Sequence, residues 1–445
     1  MTTAPSLPGV PVLGHLPAFR RDVLRLLLDG RRTCGDVVRF RLGPLVVHLA
    51  AHPDHVKQVL VTHQHHYDKE TRSSARIRTL TGPGLLTSSG DDWLKLRRLT
   101  QPSFHAQQVA GFVGLMADAT RAMLDRWAAA ANREQLDVAS EMMRLTFTIV
   151  GRALFGADLS ADVEAVERSA TVVMGHLWHR LEAVVAVPDW LPTWRNRRFR
   201  RALRRLDEVV YRVIRNDVAT GLLAQLARRR DEETGAALSE TQLRNETITL
   251  LLAGHETTAN ALTWTWYLLS QHPDVYDRVR AEAAAVLGDR PPTAADLPRL
   301  TYTAMAFREA MRLYPPIWVM ERRVVAGDAL GGFDIPAGTS LILSPYVTHR
   351  HPDFWDRPDQ FDPGRFSPER SVGRHPYAYF PFGGGQRLCI GNHFALAEGL
   401  VILALVAREF RLELAVGQAV TPQPGITLRV RGGLRMNVTT NRRGP

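Results

Sequence analysis

The chain has 445 residues, 45% hydrophobic and 23% charged, with two cysteines and a formal charge of +11. That is long enough to bury a core without staples, and two cysteines with no Cys-x-x-Cys pair exclude a disulfide framework, a zinc ribbon and covalent c-type haem attachment. The charge is almost wholly arginine, with lysine only at positions 57, 69 and 95, and no nucleic-acid motif accompanies it, so no nucleic-acid partner is expected.

Met1 to Phe19 carries prolines at 5, 8, 11 and 17 and has neither a basic nor an apolar leader. The longest apolar run, Leu400 to Ala407, falls far short of the roughly 20 residues of a membrane helix, so a cytoplasmic protein without a membrane anchor is expected. Arg21 to Arg32 reads as an amphipathic helix, Val37 to Ala50 as two strands hinged at Gly43-Pro44, and Pro53 to Thr62 as a helix. His63-Gln-His-His66 has no ligand-spaced partner nearby in the sequence, so no metal is expected there. Thr71 to Gly90, with Gly82, Pro83, Gly84 and Gly90, reads as a long mobile loop.

From Asp91 the pattern is helical, and Trp93 and Arg97 share a face. Helices follow at Ala110 to Ala131, Ser140 to Phe155 and Ala161 to Val185, then a break at Pro188 to Pro192. Arg195 to Arg229 reads as one helix, with Phe199, Leu203 and Leu206 inward and its arginines in water. Ser239-Glu-Thr-Gln242 has the form of a capping box, and the helix it opens runs to His272 through Ala253-Gly-His-Glu-Thr-Thr258. Helices at Pro273 to Leu287 and Thr301 to Tyr314 come next, the second carrying Glu309 and Arg312 one turn apart. Val319 to Ile342 reads as short strands, and Arg411 to Val416 and Ile426 to Val438 as terminal strands, the last turned at Gly432-Gly433.

One of the two cysteines, Cys389, stands in a glycine-rich loop just before the apolar run Ile390 to Phe410, which reads as a helix. Backbone N–H groups and the helix dipole favour a thiolate there, whereas Cys34 stands at a helix C-terminus, where the dipole disfavours one. Gly383, Gly384 and Gly385 permit positive φ and a close approach to a flat ligand, and Arg387 can reach an anion at its edge.

The segment Phe382-Gly-Gly-Gly-Gln-Arg-Leu-Cys-Ile-Gly391 resembles the haem-ligand loop of the cytochrome P450 family, Phe-x-x-Gly-x-Arg-x-Cys-x-Gly, with every fixed position met. Ala253 to Thr257 resembles the same family's Ala-Gly-x-Asp/Glu-Thr segment, and Trp93 with Arg97 its Trp-x-x-x-Arg pair. The resemblance covers essentially the whole chain. It implies one P450 domain over residues 1–445, mainly α with small β-sheets (α+β). The β-rich parts fall at about 36–62, 317–345 and 411–438, the helical parts at about 91–314 and 390–410, and a long central helix crosses the haem.

The implied cofactor is haem b, held non-covalently with Cys389 as axial ligand, with O2 as co-substrate and NAD(P)H acting indirectly. By the same resemblance Phe382 and Gly391 flank the ring. Trp93, Arg97, Arg387 and either Arg322 or Arg323 bind the propionates, with spacing favouring Arg322. Ala253 leaves room for a diatomic ligand, and Glu256 and Thr257 deliver protons. Glu309, Arg312 and Arg365 form a buried structural cluster. The implied activity is monooxygenation, the hydroxylation or epoxidation of a hydrophobic small molecule such as a terpene, fatty acid or polyketide.

Leu85, Leu86, Leu177, Trp178, Ala253, Ile317, Trp318, Val319 and Ile426 are candidates for the pocket wall, and each is equally consistent with core packing. No flavin or iron–sulfur motif is present, so electrons are expected from a ferredoxin or flavodoxin with its NAD(P)H-dependent reductase, steered by Arg98 and Arg374 onto a monomer. A peroxygenase or isomerase on the same fold, and a non-enzymatic haem sensor, are the alternatives.

Overall fold

A computed structural model describes residues 2–130, 135–156, 160–182, 188, 190–215, 221–231, 233 and 235–441. The chain folds as two compact units, one of Met1–Ala75, Met311–Cys389 and Pro424–Leu428, the other of Arg76–Ala310, Ile390–Gln423 and Arg429–Pro445.

The first unit is organised by a five-stranded sheet. Val37–Leu42 and Leu45–Ala50 pair antiparallel across Gly43, whose φ of 62° makes the turn. Leu45–Ala50 then runs parallel to Ser340–Leu343, which pairs antiparallel with Met320–Val324, and Tyr67–Asp68 closes the edge. Because side chains alternate along a strand, the two faces bury different clusters. Val38, Phe40 and Leu49 pack against Leu24 and Leu27 of the helix Leu16–Cys34. Val37, Leu341 and Leu343 pack with Val56, Leu60 and Phe380. Gly30 lets the helix close down on the sheet, since a Cβ there would stand 2.6 Å from the Phe40 ring.

Behind this sheet Arg312 is 0% exposed and replaces water for three carbonyls. It donates to His349 O at 2.9 Å, Pro358 O at 2.6 Å and Gln360 O at 3.0 Å. Arg365 is buried and donates to Arg357 O at 2.9 Å. Glu309, one turn before Arg312 on the helix Thr301–Leu313, is also fully buried. Arg374, expected to steer a partner, instead lies 4.5 Å over the Trp355 ring and donates to the carbonyls of Arg365 and Arg370. Its guanidinium serves packing and backbone hydrogen bonds.

The second unit is helical, and its axis is the helix Glu240–Gln271, opened by the expected capping box of Ser239 and Gln242. Between residues 245 and 266 every position is buried except Ala253, Gly254 and Thr257, which share one strip. On another side Thr146 Oγ1 of the helix Val138–Phe155 donates to His255 O at 3.0 Å, and a Cβ at Gly254 would stand 3.2 Å from Val150. The helix Asn392–Glu409 is also buried almost all round. A three-stranded sheet of Gln135–Asp137, Arg435–Thr440 and Phe410–Leu414 holds the C-terminus.

Several elements differ from the sequence reading. Residues expected as a mobile loop from Thr71 begin with a helix, Arg72–Thr81. The breakers Gly82, Pro83, Gly84 and Gly90 all follow it, while Thr71 Oγ1 accepts the Ser74 N–H at 3.1 Å as an N-cap does. The expected helix over 195–229 is Trp194–Arg215 and Gly221–Arg228, and its residues 216–220 lie outside the described residues. So do Ala131 and residues 183–185 at the ends of two expected helices. The expected turn at Gly432-Gly433, with φ of 76° and 85°, does separate two terminal strands, Leu428–Val430 and Arg435–Thr440.

Arg312→Met keeps the stem but leaves three buried carbonyls unpaired. It is expected to cost about 3 kcal/mol, at roughly 1 kcal/mol for each lost hydrogen bond, measured by urea unfolding. Arg312→Lys should recover only part of that, because an ammonium lacks the planar fork.

Candidate active site

The cysteine loop is held by backbone contacts. Cys389 N–H donates to Phe382 O at 2.9 Å, Gly383 N–H to Phe380 O at 2.9 Å, and a 3-10 turn, Gly385–Arg387, lies between them. Gly383 and Gly385 have φ of 75° and 64°. A Cβ at Gly385 would overlap the Leu60 carbonyl oxygen, and one at Gly384 the Tyr377 ring. Only glycine lets the loop sit this close to both, and the result is an exposed Cys389 thiol at the loop's end. Cys34 ends its helix half-buried, and burial pushes its thiol pKa up.

Three cations gather in the same unit. Strand alternation sends Arg322 inward, where burial lowers its pKa to about 10. Arg323 faces the other way and pairs with Asp68, its Nε 3.0 Å from Oδ1. Asp68 pairs with Arg323 across the strand edge, so Lys69 comes next along it. Desolvation, then the like charges of Arg322 and Arg387, hold the Lys69 ammonium well below the usual lysine range. Sequence reasoning noted Lys69 only as one of three lysines. No local signal pointed to it, because the strand beside it pairs with one 255 residues away.

The second unit carries the remaining candidates. Trp93 is buried on the helix Gly90–Thr100, and Arg97, half-buried, donates from Nε to Gln101 Oε1 at 2.9 Å. Arg98 is not a free steering charge, for its guanidinium pairs with Asp231 at 3.2 Å and Glu233 at 2.7 Å. Glu256 is 2% exposed and is gripped by Arg429, with Nε at 2.8 Å and Nη2 at 2.6 Å from Oε1. Arg429 was not foreseen, because 173 residues separate it from the acid it meets. Thr257 Oγ1 donates to Ala253 O at 2.7 Å, so the hydroxyl is parked on its own helix.

The expected pocket residues divide. Leu85 is buried and Leu86 exposed, while Ile317, Val319 and Ile426 are half-buried. Trp318 is a correction. It is 4% exposed, packs in the sheet core and donates its indole N–H to Gly425 O at 2.8 Å. The side chains of Leu177 and Trp178 lie outside the described residues. Near His63 and His66 the fold does bring a distant carboxylate, Asp328. That group already accepts from Tyr67 OH at 2.7 Å, Ala329 N–H at 2.8 Å and Gln58 at 3.2 Å, which makes it a turn anchor.

The cytochrome P450 family model matches residues 5–432. The chain belongs to the cytochrome P450 family. It is 38% identical to cyclooctatin synthase of Streptomyces melanosporofaciens, over 98% of this chain and 95% of that one. It is 36% identical to cyclooctat-9-en-7-ol 5-monooxygenase of the same organism, over 96% and 91%. Pentalenene oxygenase of Streptomyces avermitilis is 32% identical over 99% and 98%. A crystal structure of the cytochrome P450DA heme domain superposes with a TM-score of 0.91 at 27% identity, covering 99% of this chain and 98% of that one.

This P450 is therefore an oxidoreductase, a monooxygenase acting on a hydrophobic small molecule, and its family implies haem, dioxygen and redox partners. Among the described residues no helix is long and apolar enough to cross a membrane. The residues fit a haem. An exposed thiol ends a backbone-held loop, and Lys69, Arg322 and Arg387 crowd like charges that an anionic carboxylate would relieve.

Gly385→Ala puts a Cβ into the Leu60 carbonyl at positive φ. It is expected to cost at least about 2 kcal/mol and to lower haem retention, read by thermal unfolding and by haem content after gel filtration.

Proposed function

We propose that this P450 hydroxylates a cyclic terpene in the cytoplasm, residues 1–445 acting as one domain and as a monomer. The observation that carries the substrate class is that three relatives named for terpene oxidation each align over at least 96% of the chain. The haem is haem b, bound non-covalently with the Cys389 thiolate on its iron, and when bound it supplies dioxygen activation and the oxidation of a substrate carbon. Lys69, Arg322, Arg387, Arg97 and Trp93 hold its propionates, and Phe382 and Gly391 flank the ring. Glu309, Arg312 and Arg365 brace the polypeptide behind the loop.

The remaining chemistry falls to the strip of the long helix that is not buried. Ala253 presents only a methyl there, which leaves space for a small ligand. Glu256 is held by Arg429, whose side chain is 40% exposed, so the buried acid has a charged contact with solvent. It takes protons from water at that end and passes them towards Thr257, whose hydroxyl turns from the Ala253 carbonyl to donate. Electrons come from a ferredoxin or flavodoxin with an NAD(P)H-dependent reductase.

Cys389→Ser is expected to fold and lose the thiolate-type band of the reduced carbon monoxide complex, whereas Cys34→Ser keeps it. The reverse pattern would overturn the ligand assignment. With surrogate redox partners, Thr257→Ala and Glu256→Gln should consume NADPH at near the normal rate and yield about tenfold less product per NADPH, the balance appearing as peroxide. Unchanged coupling in both variants would show that protons enter by another route.

A further inference from the structure

The first turns of the long helix grip the preceding glycine-rich segment by its backbone. Arg244, itself paired with Asp207, donates from Nη1 to Leu80 O and Thr81 O, both at 3.3 Å. Asn245 Nδ2 donates to Pro83 O at 3.1 Å, and Glu246 Oε1 accepts the Leu85 N–H at 2.8 Å. These contacts leave two atoms over. Glu246 Oε2 and Thr249 Oγ1 are buried and have no hydrogen-bond partner among the described residues. Glu246 is 0% exposed and Thr249 5%.

Neither atom is unpaired by default. A helical threonine ordinarily returns its hydroxyl to the carbonyl four residues back, as Thr247, Thr257, Thr263 and Thr265 of this helix all do. Thr249 does not. A buried acid ordinarily finds a cation, as Glu256 finds Arg429. Among the described residues Glu246 has none, and desolvation pushes its carboxyl up to about 7 despite the opposing Leu85 N–H. A large share of it is therefore the neutral acid near pH 7, able both to donate and to accept.

The two groups are three residues apart and so neighbours on one face, and Ala253 stands four residues beyond Thr249 on that face. Gly84 backs onto both, since a Cβ there would lie 2.8 Å from Glu246 Oε1 and 3.5 Å from Thr249 Oγ1. The apolar Leu250 lies beside them on the helix. Two uncompensated buried polar groups carry a cost that an incoming hydroxyl would remove by accepting from one and donating to the other. An ammonium would need the ionised acid, the form that desolvation disfavours here.

We propose that Glu246 and Thr249 form the subsite that receives a hydroxyl group of an otherwise hydrocarbon substrate, holding it on the same helix face as Ala253. The inference rests on the terpene reading above and narrows it to a terpene alcohol. Seven residues of helix separate Glu246 from Ala253, about 10 Å, so the carbon oxidised lies on the far side of the skeleton from the recognised oxygen. The substrate must then come from a step that has already installed that oxygen, either an earlier oxygenation or a cyclisation ended by water.

The test compares cyclooctat-9-en-7-ol with the hydrocarbon lacking its hydroxyl, reading affinity for the holoenzyme both by calorimetry and by the haem spin-state shift. The wild type should bind the alcohol about tenfold more tightly than the hydrocarbon. Glu246→Leu and Thr249→Val should each remove most of that preference by weakening the alcohol, with hydrocarbon affinity unchanged within about twofold, and Glu246→Gln should keep most of it. Thr249→Val leaves the Leu85 N–H contact in place, so it separates recognition from loop anchoring. A wild type that binds both ligands equally keeps the terpene reading and overturns the subsite. A wild type that binds neither overturns both. Variants that weaken the two ligands in parallel show that the pair serves only to anchor the loop, and that result also overturns the subsite.

Discussion

Everything the first unit does for chemistry depends on one close approach, that of the Gly385 backbone to the Leu60 carbonyl. The cysteine loop is held because two stretches of backbone touch where any side chain would separate them. The loop's own hydrogen bonds, Cys389 N–H to Phe382 O and Gly383 N–H to Phe380 O, then fix the backbone that carries the sulfur. Behind it, Arg312 and Arg365 bind carbonyls between His349 and Gln360 that have no partner in regular secondary structure. A guanidinium suits this task because it presents several donors in one plane and stays charged when buried.

The long helix of the second unit solves a different problem. It is buried nearly all round, so each polar side chain on it must be matched from its surroundings. Asn245 and Arg244 are matched by loop carbonyls, and Glu256 by Arg429. Ala253, Gly254 and Thr257 are the positions between 245 and 266 that are not buried. Glu246 and Glu256, ten residues apart on the same helix, have opposite surroundings. One acid is held by an arginine, and the other, with no cation beside it among the described residues, is pushed towards its neutral form by desolvation. Two like groups on one element can thus serve two purposes, a proton route and a hydrogen-bonding wall.

Electrostatics also explains which arginines are available. The chain's excess positive charge is nearly all arginine, yet Arg98, Arg374, Arg323 and Arg429 are each committed to an ion pair, a ring or a carbonyl. Net charge read from composition therefore overstates the free positive field, because paired guanidinium groups contribute little beyond their partners. Lys69 stands close enough to Arg322 and Arg387 for their like charges, after desolvation, to lower its pKa, and burial lowers that of Arg322.

The sequence by itself determined the family, the cysteine loop, the acid and alcohol of the long helix, and the order of most helices and strands. These are legible because each depends on neighbours a few residues away, such as a glycine run before Cys389, a capping box at Ser239 or an alternation in Val37 to Leu42. Where local signals were read too broadly, as in the loop assigned from Thr71, the error came from letting later glycines speak for earlier residues. Only the tertiary structure decided that Arg429 holds Glu256, that Lys69 joins Arg322 and Arg387, that Trp318 is core, and that Glu246 Oε2 and Thr249 Oγ1 have no hydrogen-bond partner among the described residues. Each of these is a meeting of residues far apart in the chain, or the absence of one, and nothing in local composition records which distant group will come to rest beside a buried charge.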